Sequence, residues 1–139
     1  MDEYRNLSQP EVEKLALQLG RAIKNKRAFI GFVGPLGSGK TTFIKALAEY
    51  FKIKHITSPT FVISHEYKIA QGTLYHLDFY RLNKPKDLVP IGLEEMLRNR
   101  NIVLAEWIDR FPNIADLCDI IITLKVKPEN KRNVTVQIN

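Results

Sequence analysis

Gly34-Pro35-Leu36-Gly37-Ser38-Gly39-Lys40-Thr41 decides the fold of this chain. The octapeptide satisfies every position of the phosphate-loop pattern G-x-x-x-x-G-K-[ST]. Its flanks match as well. Ala28-Phe29-Ile30-Gly31-Phe32-Val33 is a continuous apolar run of strand length, and Thr42-Phe43-Ile44-Lys45-Ala46-Leu47-Ala48-Glu49 is a helix-forming run. In a chain this long a chance match is expected about once in two hundred sequences, and the strand and helix on either side reduce that further. The stretch therefore predicts a strand, a loop curled around an anion, and a helix whose N-terminus faces the same anion.

Each residue type there has a physical task. The glycines Gly34, Gly37 and Gly39 let the backbone turn so that successive N–H groups, those of Leu36 and Ser38 among them, converge on one phosphate. Lys40 would reach the β- and γ-phosphates, the Thr41 hydroxyl would ligate Mg2+, and Thr42 would contact the α-phosphate.

Working outward, 139 residues fit one domain spanning 1–139, with a core but no room for a second large module. Such a length leaves little housing for a lid or a substrate-binding insertion. Apolar content of 45% and charged content of 26% are those of a globular protein, and no apolar run approaches the roughly 18 residues of a membrane span. The start, Met1-Asp2-Glu3-Tyr4, is acidic and lacks an apolar secretory stretch. The single cysteine, Cys118, excludes an internal disulfide framework, which points to a cytoplasmic protein and a small buried thiol. The net charge of +6 is unevenly spread: eight basic residues fall between Arg21 and Lys54 against one acid, Glu49. That segment reads as a solvated basic surface near a polyanion site, with an RNA-contacting face as the alternative.

Ser8-Gln9-Pro10-Glu11 is a capping box with proline in the first turn, and Val12, Leu15, Ala16, Leu19 and Ile23 continue at helical spacing, giving a helix over about 9–25. A helix over 40–51 follows the loop. Pro59 makes 54–61 a loop. Strands are predicted over 61–69 and 73–80, joined by the turn Ala70-Gln71-Gly72. A short helix lies within Gly92–Arg98. Ile102-Val103-Leu104-Ala105 has the character of a buried parallel strand, and Pro112 interrupts the chain. Ile120–Val126 and Asn133–Ile138 form a terminal hairpin around Pro128-Glu129-Asn130. The fold class is α/β, a P-loop NTPase-like three-layer sandwich with a mixed sheet: a parallel core with antiparallel hairpin additions.

Turnover needs more than a phosphate loop. A carboxylate must serve the Mg2+ shell, and a group must position or deprotonate the attacking water. In open α/β sheets such groups come from the carboxyl ends of strands. Two strands here end in an acid, at Asp78 and at Glu106. A glutamate directly after the metal aspartate would be one solution, but Phe79 stands there, so Glu106 is the second acid. Thr60 is placed as a γ-phosphate sensor in a switch-type loop. His76, on the same strand face as Asp78, reads equally as a nucleotide contact or a satisfied core histidine. Arg81 has a surface or structural role, or pairs with Asp78 or a phosphate. Trp107 stacks on a partner, lines the rim, or is a buried structural residue. Asn83-Lys84-Pro85-Lys86-Asp87 approaches the guanine-reading N-K-x-D, but its acid is one residue late and no D-x-x-G precedes it, so GTP is not indicated.

Taken together, Gly34-x-Leu36-Gly37-Ser38-Gly39-Lys40-Thr41-Thr42, Ser58-Pro59-Thr60-Phe61, Tyr75-His76-Leu77-Asp78-Phe79-Tyr80-Arg81-Leu82, Gly92-Leu93-Glu94-Glu95 and Glu106-Trp107 resemble the TsaE family, the ATPase of the bacterial machinery that forms threonylcarbamoyladenosine on tRNA. The likeness covers nearly the whole chain. It implies that Lys40, Thr41 and Thr42 hold phosphates and Mg2+, that Thr60 is the switch threonine, and that Asp78 is the Walker-B-like acid. Glu106 would belong to the Mg2+ and water shell, with Trp107 at a partner-facing mouth. Arg132 would lie near the nucleotide, and Glu13 on the first helix would approach the adenine. The resemblance further implies ATP and Mg2+ as ligands, and a heterodimer of a TsaD-like carbamoyl-transferase subunit and its TsaB-like paralogue as partner. Contact with tRNA would be indirect, through that complex, and no membrane would be involved. Pro35, where many members carry an acid, and Ile108-Asp109 after the tryptophan depart from the family pattern. The competing readings are a small-molecule kinase, a nucleotide-dependent binding or switch module without turnover, and a direct RNA binder.

Overall fold

The computed structural model describes residues 1–57, 64–84 and 92–139. Seven strands form one mixed sheet: β1 (Asp2–Leu7), β2 (Ala28–Val33), β3 (Ser64–Ile69), β4 (Gly72–Asp78), β5 (Ile102–Glu106), β6 (Ile120–Lys127) and β7 (Lys131–Ile138). Their order across the sheet is β1-β7-β6-β2-β5-β4-β3. The strand that feeds the phosphate loop, β2, is central, parallel to β6 on one side and to β5 on the other. β5 is in turn parallel to β4. The β3–β4 and β6–β7 pairs are antiparallel hairpins at the flanks. The sheet is thus a parallel core with antiparallel additions, as the sequence predicts.

Alternation on the central strands divides the interior in two. Ala28, Ile30 and Phe32 of β2, Leu74 of β4, and Ile102 and Leu104 of β5 pack with α1 (Gln9–Ile23) and α2 (Lys40–Tyr50). Phe29, Leu77, Val103 and Ala105 point the other way, to a thinner layer. That layer holds α3 (Leu93–Met96), a 3-10 turn (Ile108–Arg110) and α4 (Pro112–Ala115). Cys118 is buried there, as the sequence suggests, and burial pushes its thiol up to about 12.

The first helix ends at Ile23, two residues earlier than its periodicity suggests. It carries the full capping box: Glu11 N–H donates to Ser8 Oγ, and Ser8 N–H donates to the Glu11 carboxylate at 2.9 Å. Strand β4 covers 72–78 rather than 73–80 because its ladder with β5 ends at the pair Asp78–Glu106. Pro112 begins α4 instead of only breaking the chain, the proline occupying a first-turn position whose N–H has no helical partner.

Strand β1 has no counterpart in the sequence reading. All of its residues but Leu7 are exposed, so neither face shows an apolar period. Its order comes from backbone pairing with β7, Asp2 opposite Val136 and Tyr4 opposite Val134. No helix among the described residues is long and apolar enough to cross a membrane.

Candidate functional site

The loop between β2 and α2 is shaped by its glycines. Gly37 and Gly39 adopt φ of 77° and 100°, a left-handed region where a Cβ is unfavourable. Gly34 is needed for space: a Cβ there would lie 2.6 Å from Ser38 Oγ and 2.7 Å from the Leu124 carbonyl oxygen. The loop opens directly into α2, whose N-cap Gly39 supplies no side-chain cap. The first-turn N–H groups of Lys40, Thr41 and Thr42 are thereby left to an external acceptor. Ser38 Oγ is buried with no hydrogen-bond partner among the described residues. An uncapped helix start beside an orphaned hydroxyl fits a phosphate.

Lys40 is buried, and its ammonium turns back on the loop. Nζ donates to the carbonyl oxygens of Gly34 and, at 3.0 Å, Pro35. It also lies 4.0 Å above the centre of the Trp107 ring. Burial lowers the Lys40 pKa, against the pull of Glu106, Asp109 and Asp78. No carboxylate among the described residues forms an ion pair with it. Trp107 reaches this place through a left-handed backbone (φ 60°), uncommon for so bulky a residue, with its N–H on the Phe32 carbonyl at 3.0 Å. Its other neighbour is the Tyr80 ring, at 4.9 Å between centroids. Trp107 is therefore half-buried on the rim, neither wholly exposed nor a core residue.

Strand alternation brings the acids to the same end of the sheet. Positions 74, 76 and 78 of β4 and 102, 104 and 106 of β5 share the face covered by α1 and α2, and Asp78 stands opposite Glu106 in register. Glu106 is buried and held at both oxygens. The Thr41 hydroxyl donates to Oε1 at 3.3 Å, and His76 Nε2 lies 2.7 Å from Oε2. Of the two acids it is thus Glu106, on the strand next to β2, that touches the loop threonine. Asp78 Oδ1 instead accepts the Tyr80 N–H at 2.9 Å. Burial raises the Asp78 pKa, the Tyr80 N–H opposes this, and nearby Glu106 raises it further.

Mg2+ is a hard cation served by one or two carboxylates together with phosphate and water oxygens. Thr41, Glu106 and Asp78 provide that kind of all-oxygen donor set, so the residues fit the ion. Among the described residues no group of three or more His, Cys, Asp or Glu side chains could hold a metal ion by itself.

Arg132 reaches the loop from β7. Nε donates to the Ser38 carbonyl at 2.9 Å and NH2 to the Gly37 carbonyl at 3.2 Å, while NH1 is engaged by Asn130 and by the Lys131 carbonyl. Beside it Gln9, Val12, Ser38, Gly39, Thr42 and Leu124 line a cleft between α1, the loop and the β6–β7 hairpin. Glu13 is not in that lining; its carboxylate accepts from Gln9 Nε2 at 3.3 Å, one turn along the helix.

Ser58, Pro59, Thr60 and Phe61 lie outside the described residues, as do Pro85, Lys86 and Asp87. Arg81 is exposed. The exposed residues Arg21, Lys24, Lys26, Arg27, Lys45, Lys52 and Lys54 agree with a solvated basic surface, Lys40 being the buried exception. Sequence reasoning noted Asp109 only as a departure from the family pattern and gave it no role, whereas its charge acts on Lys40 from the 3-10 turn after Trp107. Nor did it assign His76 to Glu106, although the alternation that put His76 and Asp78 on one face pointed that way.

A mixed sheet in this order, with a glycine-rich loop leading from its central strand into a covering helix, defines a P-loop NTPase-like α/β protein. A family model described as "Threonylcarbamoyl adenosine biosynthesis protein TsaE" matches residues 7–134. Two curated relatives bear the name tRNA threonylcarbamoyladenosine biosynthesis protein TsaE. That of Rickettsia felis is 34% identical over 134 residues, covering 95% of this chain and 77% of its own. That of Aquifex aeolicus is 36% identical over 132 residues, covering 93% and 90%. Among solved structures, the crystal structure of Bacillus subtilis YdiB superposes with a TM-score of 0.77 at 27% identity, covering 99% of this chain and 86% of that one. The chain belongs to the TsaE family, involved in the biosynthesis of threonylcarbamoyladenosine on tRNA.

Proposed function

We propose that this chain binds and hydrolyses MgATP as the nucleotide-driven cytoplasmic subunit of the tRNA threonylcarbamoyladenosine machinery. It acts on a heterodimer of a TsaD-like carbamoyl-transferase subunit and its TsaB-like paralogue, and tRNA is met only through that complex. The observation that carries this reading is the line Thr41–Glu106–His76 beside Lys40, a combination a passive glycine turn has no use for.

In this reading the amides from Leu36 to Thr41, except that of Ser38, whose N–H donates to the Pro35 carbonyl at 3.1 Å, hold the β-phosphate at the N-terminus of α2. Lys40 exchanges its carbonyl partners Gly34 and Pro35 for β- and γ-phosphate oxygens, and Thr42 contacts the α-phosphate. Mg2+, when bound, neutralises charge on the β- and γ-phosphate oxygens, and Thr41, Glu106 and Asp78 would hold it. Glu106 would serve the ion from its place beside the Thr41 hydroxyl, and Asp78, whose Oδ1 accepts the Tyr80 N–H, would orient the attacking water. Thr60 would sense the γ-phosphate. The cleft bounded by Gln9, Thr42 and Arg132 would take the sugar and base, with Glu13 one turn away.

Hydrolysis by the chain alone is slow in this scheme. A partner that completes a phosphoryl-transfer site contributes on the order of 10³–10⁵ in rate in related chemistry. The test is ATP hydrolysis by the purified chain with and without the heterodimer. Stimulation together with ATP-dependent co-migration is the expected result. Absence of both stimulation and co-migration would reject the partner, and phosphate transfer to a small molecule in place of water would reject the hydrolase.

A further inference from the structure

We infer that His76 is a positioning residue that holds the Glu106 carboxylate on Thr41 and off Lys40. The inference rests on the MgATP reading above.

His76 is fully buried, and among the described residues its ring makes one hydrogen bond, from Nε2 to Glu106 Oε2 at 2.7 Å, while Nδ1 is buried with no partner. A buried polar atom without a partner carries a desolvation cost, and a buried polar pair can often be replaced by apolar residues without loss of stability. With Leu74 before it on the same sheet face, an apolar side chain at 76 would simply extend the core. The half-satisfied imidazole makes sense through what it touches.

Glu106 has competing partners. Its charge acts on Lys40, yet Lys40 donates to the Gly34 and Pro35 carbonyls and forms no ion pair with it. The terminal torsion of a glutamate is soft, so a carboxylate tethered only by the 3.3 Å bond from Thr41 would be free to turn toward the ammonium. The shorter bond from His76 fixes Oε2 and thereby aims Oε1 at the Thr41 hydroxyl. Outer groups of this kind typically govern metal affinity by 10–100-fold.

The experiment is calorimetric titration of ATP, in EDTA and across a Mg2+ series, into the wild-type chain, four single variants and one double variant. His76→Leu removes the donor and keeps the bulk. His76→Gln keeps an amide N–H at the distance of Nε2, whereas His76→Asn carries the same amide one methylene short of it. Glu106→Ala is the fourth, alone and combined with His76→Leu.

The Leu and Asn variants are expected to need about tenfold more Mg2+ for half-maximal tightening of ATP binding, with affinity in EDTA unchanged. The Gln variant should stay near wild type, and His76→Leu should add nothing once Glu106 is gone. Equal behaviour of Gln and Asn, or a full effect of His76→Leu in the Glu106→Ala background, would overturn the inference while leaving nucleotide binding intact. A wild type that binds no ATP would reject the MgATP reading itself, and the role of His76 with it. If His76→Leu does not fold, the Gln–Asn contrast decides the matter.

Discussion

The Arg132 guanidinium, on strand β7, donates to the carbonyl oxygen of Ser38 in the phosphate loop at 2.9 Å, across 94 residues of sequence. Together with the bond to Gly37 it clamps the outer turn of the loop to the terminal hairpin. The resemblance implied an arginine near the nucleotide. In the structure its donors are engaged by the loop, by Asn130 and by the Lys131 carbonyl, so its influence on a nucleotide would pass through loop shape.

Replacing it tests that role. Arg132→Ala should weaken MgATP binding by roughly tenfold, the scale of one lost charge-assisted hydrogen bond, while leaving the protein folded. Arg132→Lys should recover only part, because an ammonium lacks the planar fork that serves two carbonyls. Calorimetric titration of both variants measures the effect.

The contact of Lys40 with the chain's single tryptophan provides an internal reporter. Moving the ammonium off the ring should change Trp107 emission. Lys40→Ala should alter the spectrum of the unliganded protein, and MgATP should alter that of the wild type. If MgATP changes the emission of Lys40→Ala as much as that of the wild type, Trp107 is responding to something other than Lys40.

Asp78 couples stability to pH. Its pKa is raised by burial, so the folded chain holds the proton more readily than the unfolded chain. Stability from this group therefore falls as pH rises from the ordinary carboxylate range through the raised pKa. Asp78→Asn should increase Tm at pH 7, with the difference from wild type closing as the pH is lowered through that range. The same variant should abolish hydrolysis. Melting curves across pH and a phosphate-release assay check the two halves independently.

Gly31 sits in β2 against Ile108, and a Cβ there would meet Ile108 Cγ2 at 2.6 Å. Ile108 is fully buried in the turn that follows Trp107. Gly31→Ala should destabilise the fold by about 1–3 kcal/mol, read as a lower urea midpoint. It should also perturb Trp107 emission, since the displaced turn carries that residue.

How much of this was legible depended on the range of the interactions. The β2–loop–α2 unit was legible because the phosphate-loop pattern specifies residue types within one contiguous stretch, flanked by an apolar strand run and a helix-forming run. The capping box at Ser8 and Glu11 and the alternation of Val134, Val136 and Ile138 are local too. Strand β1 was not legible, since its order is lent by β7 and its own side chains carry no pattern. The identities of Asp78 and Glu106 as strand-end acids came from the sequence. Their division between Tyr80 and Thr41 did not, because it depends on β5 lying between β2 and β4 in the sheet. The contact of His76 with Glu106 needed the same strand order, and that of Arg132 with Ser38 needed the return of β7 beside the loop.

The unequal covering of the sheet bears on how the molecule opens. One face carries two long helices; the described helical segments on the other are the short α3, the 3-10 turn and α4. Amide hydrogens of β2, β5 and α2 should exchange only on global unfolding, whereas those of the 3-10 turn and α4 should exchange through cheaper local openings. Glu106 is the last residue of β5, and Trp107 the first beyond it. With that exchange pattern the site would straddle a boundary between two cooperative units, one rigid enough to keep the loop and its acid in register, the other free to rearrange without unfolding the sheet.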